Sequence, residues 1–169
     1  MRANDAVIDQ IETLYRRHGA ALVLYAAAIG GDRGRAQYVV HQVFLRVLEN
    51  GALIGVANER AWLFACVRNA ALNDRAIQQR SAPLNAEAAW FSPPGPDVAE
   101  EESLRRALRI LPDDQRQVVV MHIWGELTFS EIAGVLSISA NTAASRYRYA
   151  LAKLRDELRW MEAPNVRSG

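Results

Sequence analysis

The stretch TFSEIAGVLSISANTAASRYRYALAKLR, residues 128–155, dictates two helices and the turn between them. Thr128 and Glu131 form a T-x-x-E capping box, in which two orphan N–H groups at a helix start are satisfied reciprocally. Phe129, Ile132, Ala133 and Leu136 follow at helical spacing and predict a buried face. The short SIS makes a turn, with Ser139 as the cap of a second helix. That helix is expected to bury Ala143, Tyr147, Ala150, Leu151, Leu154 and Leu158. Its other face carries Asn141, Thr142, Ser145, Arg146, Arg148 and Tyr149. This is helix-turn-helix geometry, in which the second helix enters the DNA major groove. Asn and Arg read base edges, and Ser and Thr serve base or phosphate. Between residues 140 and 155 there are four positive charges and no acid. An ordinary helical hairpin with a solvated basic face is the plainer alternative.

The remainder of the chain reads as helix too, with no convincing strand alternation. Residues 6–29 place Val7, Ile8, Ile11, Leu14, Tyr15, Leu22, Tyr25 and Ile29 at helical spacing, and GGDRG ends the pattern. Residues 33–49 gather Ala36, Val39, Val40, Val43, Phe44, Val47 and Leu48 on one face. NGALIGVAN is a loop, and residues 59–79 form a third helix burying Trp62, Leu63, Cys66, Val67, Ala70 and Ile77. The stretch SAPLNAEAAWFSPPGPDVAEEE has four prolines and no period, so it reads as a linker, where Trp90 and Phe91 either dock onto a domain or partner or, the plainer reading, make surface contacts. EEESLRRALRIL then starts with acids and continues with arginines, matching a helix dipole. Pro112 opens a helix over 113–124 that Gly125 ends.

The net charge of +1 hides a segregation. Residues 1–80 and 103–169 each carry 10 basic and 7 acidic residues, while residues 81–102 carry 5 acids and no base. Nearly all the positive charge is Arg, whose planar fork suits phosphate and guanine edges. His18, His41 and His122 have no metal spacing, and Cys66 falls on an apolar helix face, so neither metal, cofactor nor catalysis is expected. No apolar run approaches a membrane span and no signal pattern opens the chain, so no membrane insertion is expected and a cytoplasmic protein is the default.

LRILPDDQRQVVVMHIWGELTFSEIAGVLSISANTAASRYRYALAKLR resembles the C-terminal domain of bacterial sigma factors of the extracytoplasmic-function (ECF) group. LYRRHGAALVLYA, AQYVVHQVFLRVLEN and RAWLFACVRNAALNDRAIQQR resemble that family's N-terminal domain. The RAWLF…RN…D form is most similar to the subgroup associated with iron-uptake signalling. The resemblance covers about residues 10–158, in the family's order.

It implies an all-α protein of two small helical domains, residues 1–80 and 103–162, joined by an acidic linker over 81–102. The implied partners are core RNA polymerase and promoter DNA, with an anti-sigma factor as a further one. The positions matching the family's upstream (−35) contacts are Asn141, Thr142, Ala144, Ser145, Arg146, Arg148 and Tyr149. For the downstream (−10) element they are Asn58, Arg68, Asn69, Asn73 and Arg75, with the preceding loop capturing a flipped base. Flipping costs a few kcal/mol, so polar groups and a basic helix must compensate. Gln37, Tyr38, His41 and Leu45 match the face that meets the polymerase, although Gln37 and Tyr38 stand where the family has acids. Tyr38 and Leu45 would then supply apolar contact instead. Ser137 stands where the family has Gly, and Ala143 where it has Val. A stand-alone helix-turn-helix regulator, or a sigma-like decoy held by an anti-sigma partner, is the competing reading.

Overall fold

In the computed structural model every described element is an α-helix, and the structure describes residues 2–53, 55–81 and 98–162. The first three are α1 (Arg2–Gly30), α2 (Arg33–Asn50) and α3 (Glu59–Ser81). They are followed by α4 (Val98–Arg109), α5 (Asp113–Ile123), α6 (Phe129–Leu136) and α7 (Ala140–Glu162). Most of the stretch expected as a linker, including Trp90 and Phe91, lies outside the described residues. Its last five residues open α4.

Local chemistry sets the helix ends. The Asp32 carboxylate accepts from Gly34 N–H at 2.9 Å and caps α2. Gly51 closes α2 in the left-handed region at φ 59°, where a glycine carries no Cβ penalty. Arg116 does the corresponding work for α4. Its guanidinium donates to the carbonyls of Leu108 and Leu111, each at 2.8 Å, and to that of Ala28 at 3.1 Å. One side chain therefore closes the α4–α5 turn and ties it to the end of α1.

α1, α2 and α3 pack on one another around Leu22, Tyr25, Val40, Leu63, Phe64 and Val67, all fully buried. Each such side chain contributes about 1.5–3 kcal/mol relative to exposure. α5 lies between α1 on one side and α6 and α7 on the other. Its Val118, Val119, Val120 and Met121 are consecutive and all have no exposed surface. Four consecutive residues sweep some 300° at about 100° each, so this helix is enclosed on nearly every side. The apolar core is accordingly continuous from α1 to α7.

Five residues expected inside are exposed: Ile8, Tyr15, Leu48, Ile77 and Leu158. Ile8, Tyr15 and Leu48 sit at the margins of their apolar stripes, where no described helix covers them. Leu158 lies beyond Leu154, the last apolar residue of α7 that packs on the core among the described residues. Phe64 and Ala71 are buried although the third-helix pattern did not include them.

Candidate nucleic-acid interface

The start of α7 is built by its own side chains. Ser139 Oγ accepts from Thr142 N–H at 3.1 Å and shares a 2.8 Å hydrogen bond with Thr142 Oγ1. The preceding helix carries the expected capping box, with Thr128 N–H on Glu131 Oε1 at 2.9 Å and Glu131 N–H on Thr128 Oγ1 at 3.1 Å. Ser137 turns the chain between them at φ 56°. Behind α7, Tyr147 meets the edge of His122 at 4.6 Å, and His122 stacks on Phe129 at 4.4 Å. His122 Nδ1 also lies 2.8 Å from the Leu127 carbonyl. This aromatic packing sets the roll of α7 against α5 and α6.

With that roll fixed, Asn141, Ser145 and Arg148 form one row, spaced four and then three residues apart. Arg148 donates to Ser145 Oγ at 3.1 Å, so the row is partly preorganised. Tyr149, 66% exposed, stands beside it. Three other expected residues are placed differently. Thr142 is engaged in the cap, Ala144 is half-buried, and Arg146 leans back to Asp114 at 3.5 Å.

The expected −10 residues divide into two sets on α3. Asn69 and Asn73 are exposed, one turn apart. Arg68 and Arg75 lie on a different side, half-buried. Arg75 donates to the Ile29 carbonyl at 3.3 Å and lies 3.4 Å from Asp113. Arg68 runs beside Tyr25, whose phenol burial pushes above its ordinary pKa while Arg68 pulls it down. Tyr25 donates to Gln117 at 2.9 Å. Asn58 precedes α3 and caps it, its Oδ1 accepting from Ala61 N–H at 3.1 Å. Its amide also donates to Glu131 in α6.

Gln37, Tyr38, His41 and Leu45 are all exposed and share the outer stripe of α2. Arg35 covers the Tyr38 ring at 4.7 Å and is itself held by Asp74. The Tyr15 hydroxyl meets His41 Nε2 at 2.7 Å. Leu48 extends the stripe, and Tyr15 flanks it from α1. These two apolar members were assigned to the core in sequence; their i+3 spacing from Leu45 and pairing with His41 carry the signal that places them outside.

Residues 101–154 match the family described as Sigma-70, region 4. The chain is 30% identical over 157 residues to the ECF RNA polymerase sigma factor SigL of Mycobacterium tuberculosis, covering 86% of each. Its fold is that of a sigma factor RpoE crystallised with the anti-sigma factor NepR from Bartonella quintana, at TM-score 0.72, 18% identity, and 89% and 97% coverage. It also superposes on CnrH, solved in complex with the cytosolic domain of CnrY, at TM-score 0.64, 25% identity, and 93% and 92% coverage. Similarity that runs through both helical halves, together with the Asn141–Ser145–Arg148 row on α7, has one explanation: the chain belongs to the ECF RNA polymerase sigma factors.

Proposed function

We propose that this alternative sigma factor binds core RNA polymerase through the outer stripe of α2 and directs it to promoters read at two elements. In this reading Asn141, Ser145, Arg148 and Tyr149 meet the −35 bases, while Thr142, Ala144 and Arg146 set the helix start and its flank. Asn58, Asn69 and Asn73 take the −10 strand as it melts, with Arg68 and Arg75 behind them. Residues 1–80 and 103–162 act as the two reading modules, joined by residues 81–102. The chain supplies recognition and melting in the cytoplasm, and the polymerase supplies the chemistry. An anti-sigma factor would restrain it, as NepR and CnrY accompany its structural relatives. The RAWLF…RN…D pattern of α3 supports a place in the iron-uptake signalling subgroup.

The observation that carries this reading is the Asn141–Ser145–Arg148 row on an acid-free stretch of α7. Run-off transcription with purified core polymerase on genomic promoter fragments tests it. Discrete transcripts that require the protein are expected; duplex binding without transcription would favour a stand-alone regulator. In the reconstituted holoenzyme, Arg148→Ala should cost about 1–3 kcal/mol and relax preference at one −35 position. A phosphate contact would instead weaken every sequence alike and lower the salt slope by about one unit.

A further inference from the structure

Asp74 follows Asn73 on α3, yet its side chain is only 16% exposed, because it lies on Arg35 in the first turn of α2. Arg35 Nε donates to Asp74 Oδ2 at 3.2 Å, and a terminal nitrogen of the same guanidinium donates to Oδ1. Two parallel hydrogen bonds fix both position and direction of the fork, which a single point contact would not. Three residues further along α2, the Tyr38 ring lies under Arg35, with the guanidinium carbon 4.7 Å from the ring centroid. The negative face of an aromatic ring attracts a cation so placed. The carboxylate thus fixes the cation, and the cation fixes the ring. Tyr38 remains 50% exposed, so much of it is still open to a partner.

A tie between α2 and α3 needs no aromatic ring. The two helices already pack through Val40, Leu63, Phe64 and Val67, all fully buried, and a partly exposed ion pair adds little to such packing. From the three-residue chain Asp74–Arg35–Tyr38, and resting on the assignment of the outer stripe of α2 to the polymerase, we infer that Arg35 and Asp74 are positioning residues for that contact. They hold the Tyr38 ring in one orientation before the polymerase arrives. A ring already fixed gives up less side-chain freedom on docking, and a large aromatic side chain is the kind that anchors an interface. The charge pattern agrees. α2 carries a single acid, Glu49 in its last turn, and the Asp74 carboxylate is spent on Arg35. What the stripe offers around Tyr38 is therefore an aromatic surface, where the family resemblance placed an anionic one.

A double-mutant cycle in the full chain tests this, read as affinity for purified core RNA polymerase without DNA. Asp74→Asn keeps the size of the side chain but turns one acceptor into an NH2, so the fork is lost. Alone it should weaken binding about threefold. Tyr38→Ala should weaken it about tenfold. The variant carrying both changes should bind no more weakly than Tyr38→Ala, since the ion pair acts through the ring. Additive losses overturn the positioning role, because the pair would then act apart from Tyr38. Unchanged binding by Asp74→Asn beside a loss in Tyr38→Ala also overturns it, and leaves the outer stripe as the polymerase contact. Unchanged binding by Tyr38→Ala removes both the positioning role and Tyr38 from that contact. Urea denaturation accompanies each variant, and Asp74→Asn should nearly keep the parent midpoint. Where it does not, Arg35→Lys repeats the cycle from α2, keeping the charge while giving up the fork, and the same outcomes decide.

Discussion

Two residues at turns carry opposite consequences for stability. Ser137 adopts φ 56° at the end of α6, a left-handed conformation that costs a residue with a Cβ about 1–2 kcal/mol. Ser137→Gly should therefore stabilise the protein, by up to about 1 kcal/mol after the larger chain entropy of glycine is subtracted. Urea denaturation monitored by helical circular dichroism reads the shift. Gly125 is the reverse case. A Cβ there would stand 2.5 Å from the Met121 carbonyl and 2.8 Å from Phe64 Cζ. Gly125→Ala should lower the urea midpoint, with a loss of about 1–3 kcal/mol. Both positions were legible in part: Gly125 as a helix end, and Ser137 as a departure from a family glycine. The contact with Phe64 was not, because it joins residues 61 positions apart that no local pattern links.

At the scale of the helices, α6 depends on the ionisation of Glu131. The Thr128 N–H, then the Asn58 amide, then the Thr128 side chain and the Arg60 charge hold this carboxyl below its ordinary value of 4.5, against the opposing effect of burial. A carboxyl depressed in the folded state adds stability that is complete above its unfolded pKa and is lost as pH falls through the lower folded value. The α3–α6 seam should therefore be indifferent to pH from neutrality down to about 4.5 and loosen below it. Amide exchange at the starts of α3 and α6, followed through that range, checks this; in Glu131→Gln the dependence should vanish. Helical spacing and the capping box made these elements legible from residues alone. Periodicity marks one apolar face, however, and the middle of α5, residues 118–121, is enclosed on nearly every side. Its Val-Val-Val-Met run is explained only by helices that arrive from both halves. The same limit misplaced Leu48 and Tyr15, apolar residues next to a buried stripe that no described residue covers.

For the whole molecule, the outer stripe of α2 is where the partner contact is proposed, and Leu45 is 48% exposed there. Leu45→Asp should fold like the parent, since exposed substitutions stay within about 0.5 kcal/mol. It should weaken co-elution with core polymerase, with a loss of affinity of about tenfold. Unaltered co-elution would take Leu45 out of the contact. How the two halves meet was not legible, because Tyr25 and Gln117, or Arg116 and Ala28, are about ninety positions apart and each side chain is unremarkable alone. The enclosed α5 bears on protein engineering. A chimera that transplants the helix-turn-helix of one relative onto the first three helices of another inherits two unmatched walls around α5. Promoter preference would travel with α7, but solubility would depend on whether the donor's α5 fits the recipient's α1, so productive crossovers should be those that exchange the α1 surface together with the reading helix.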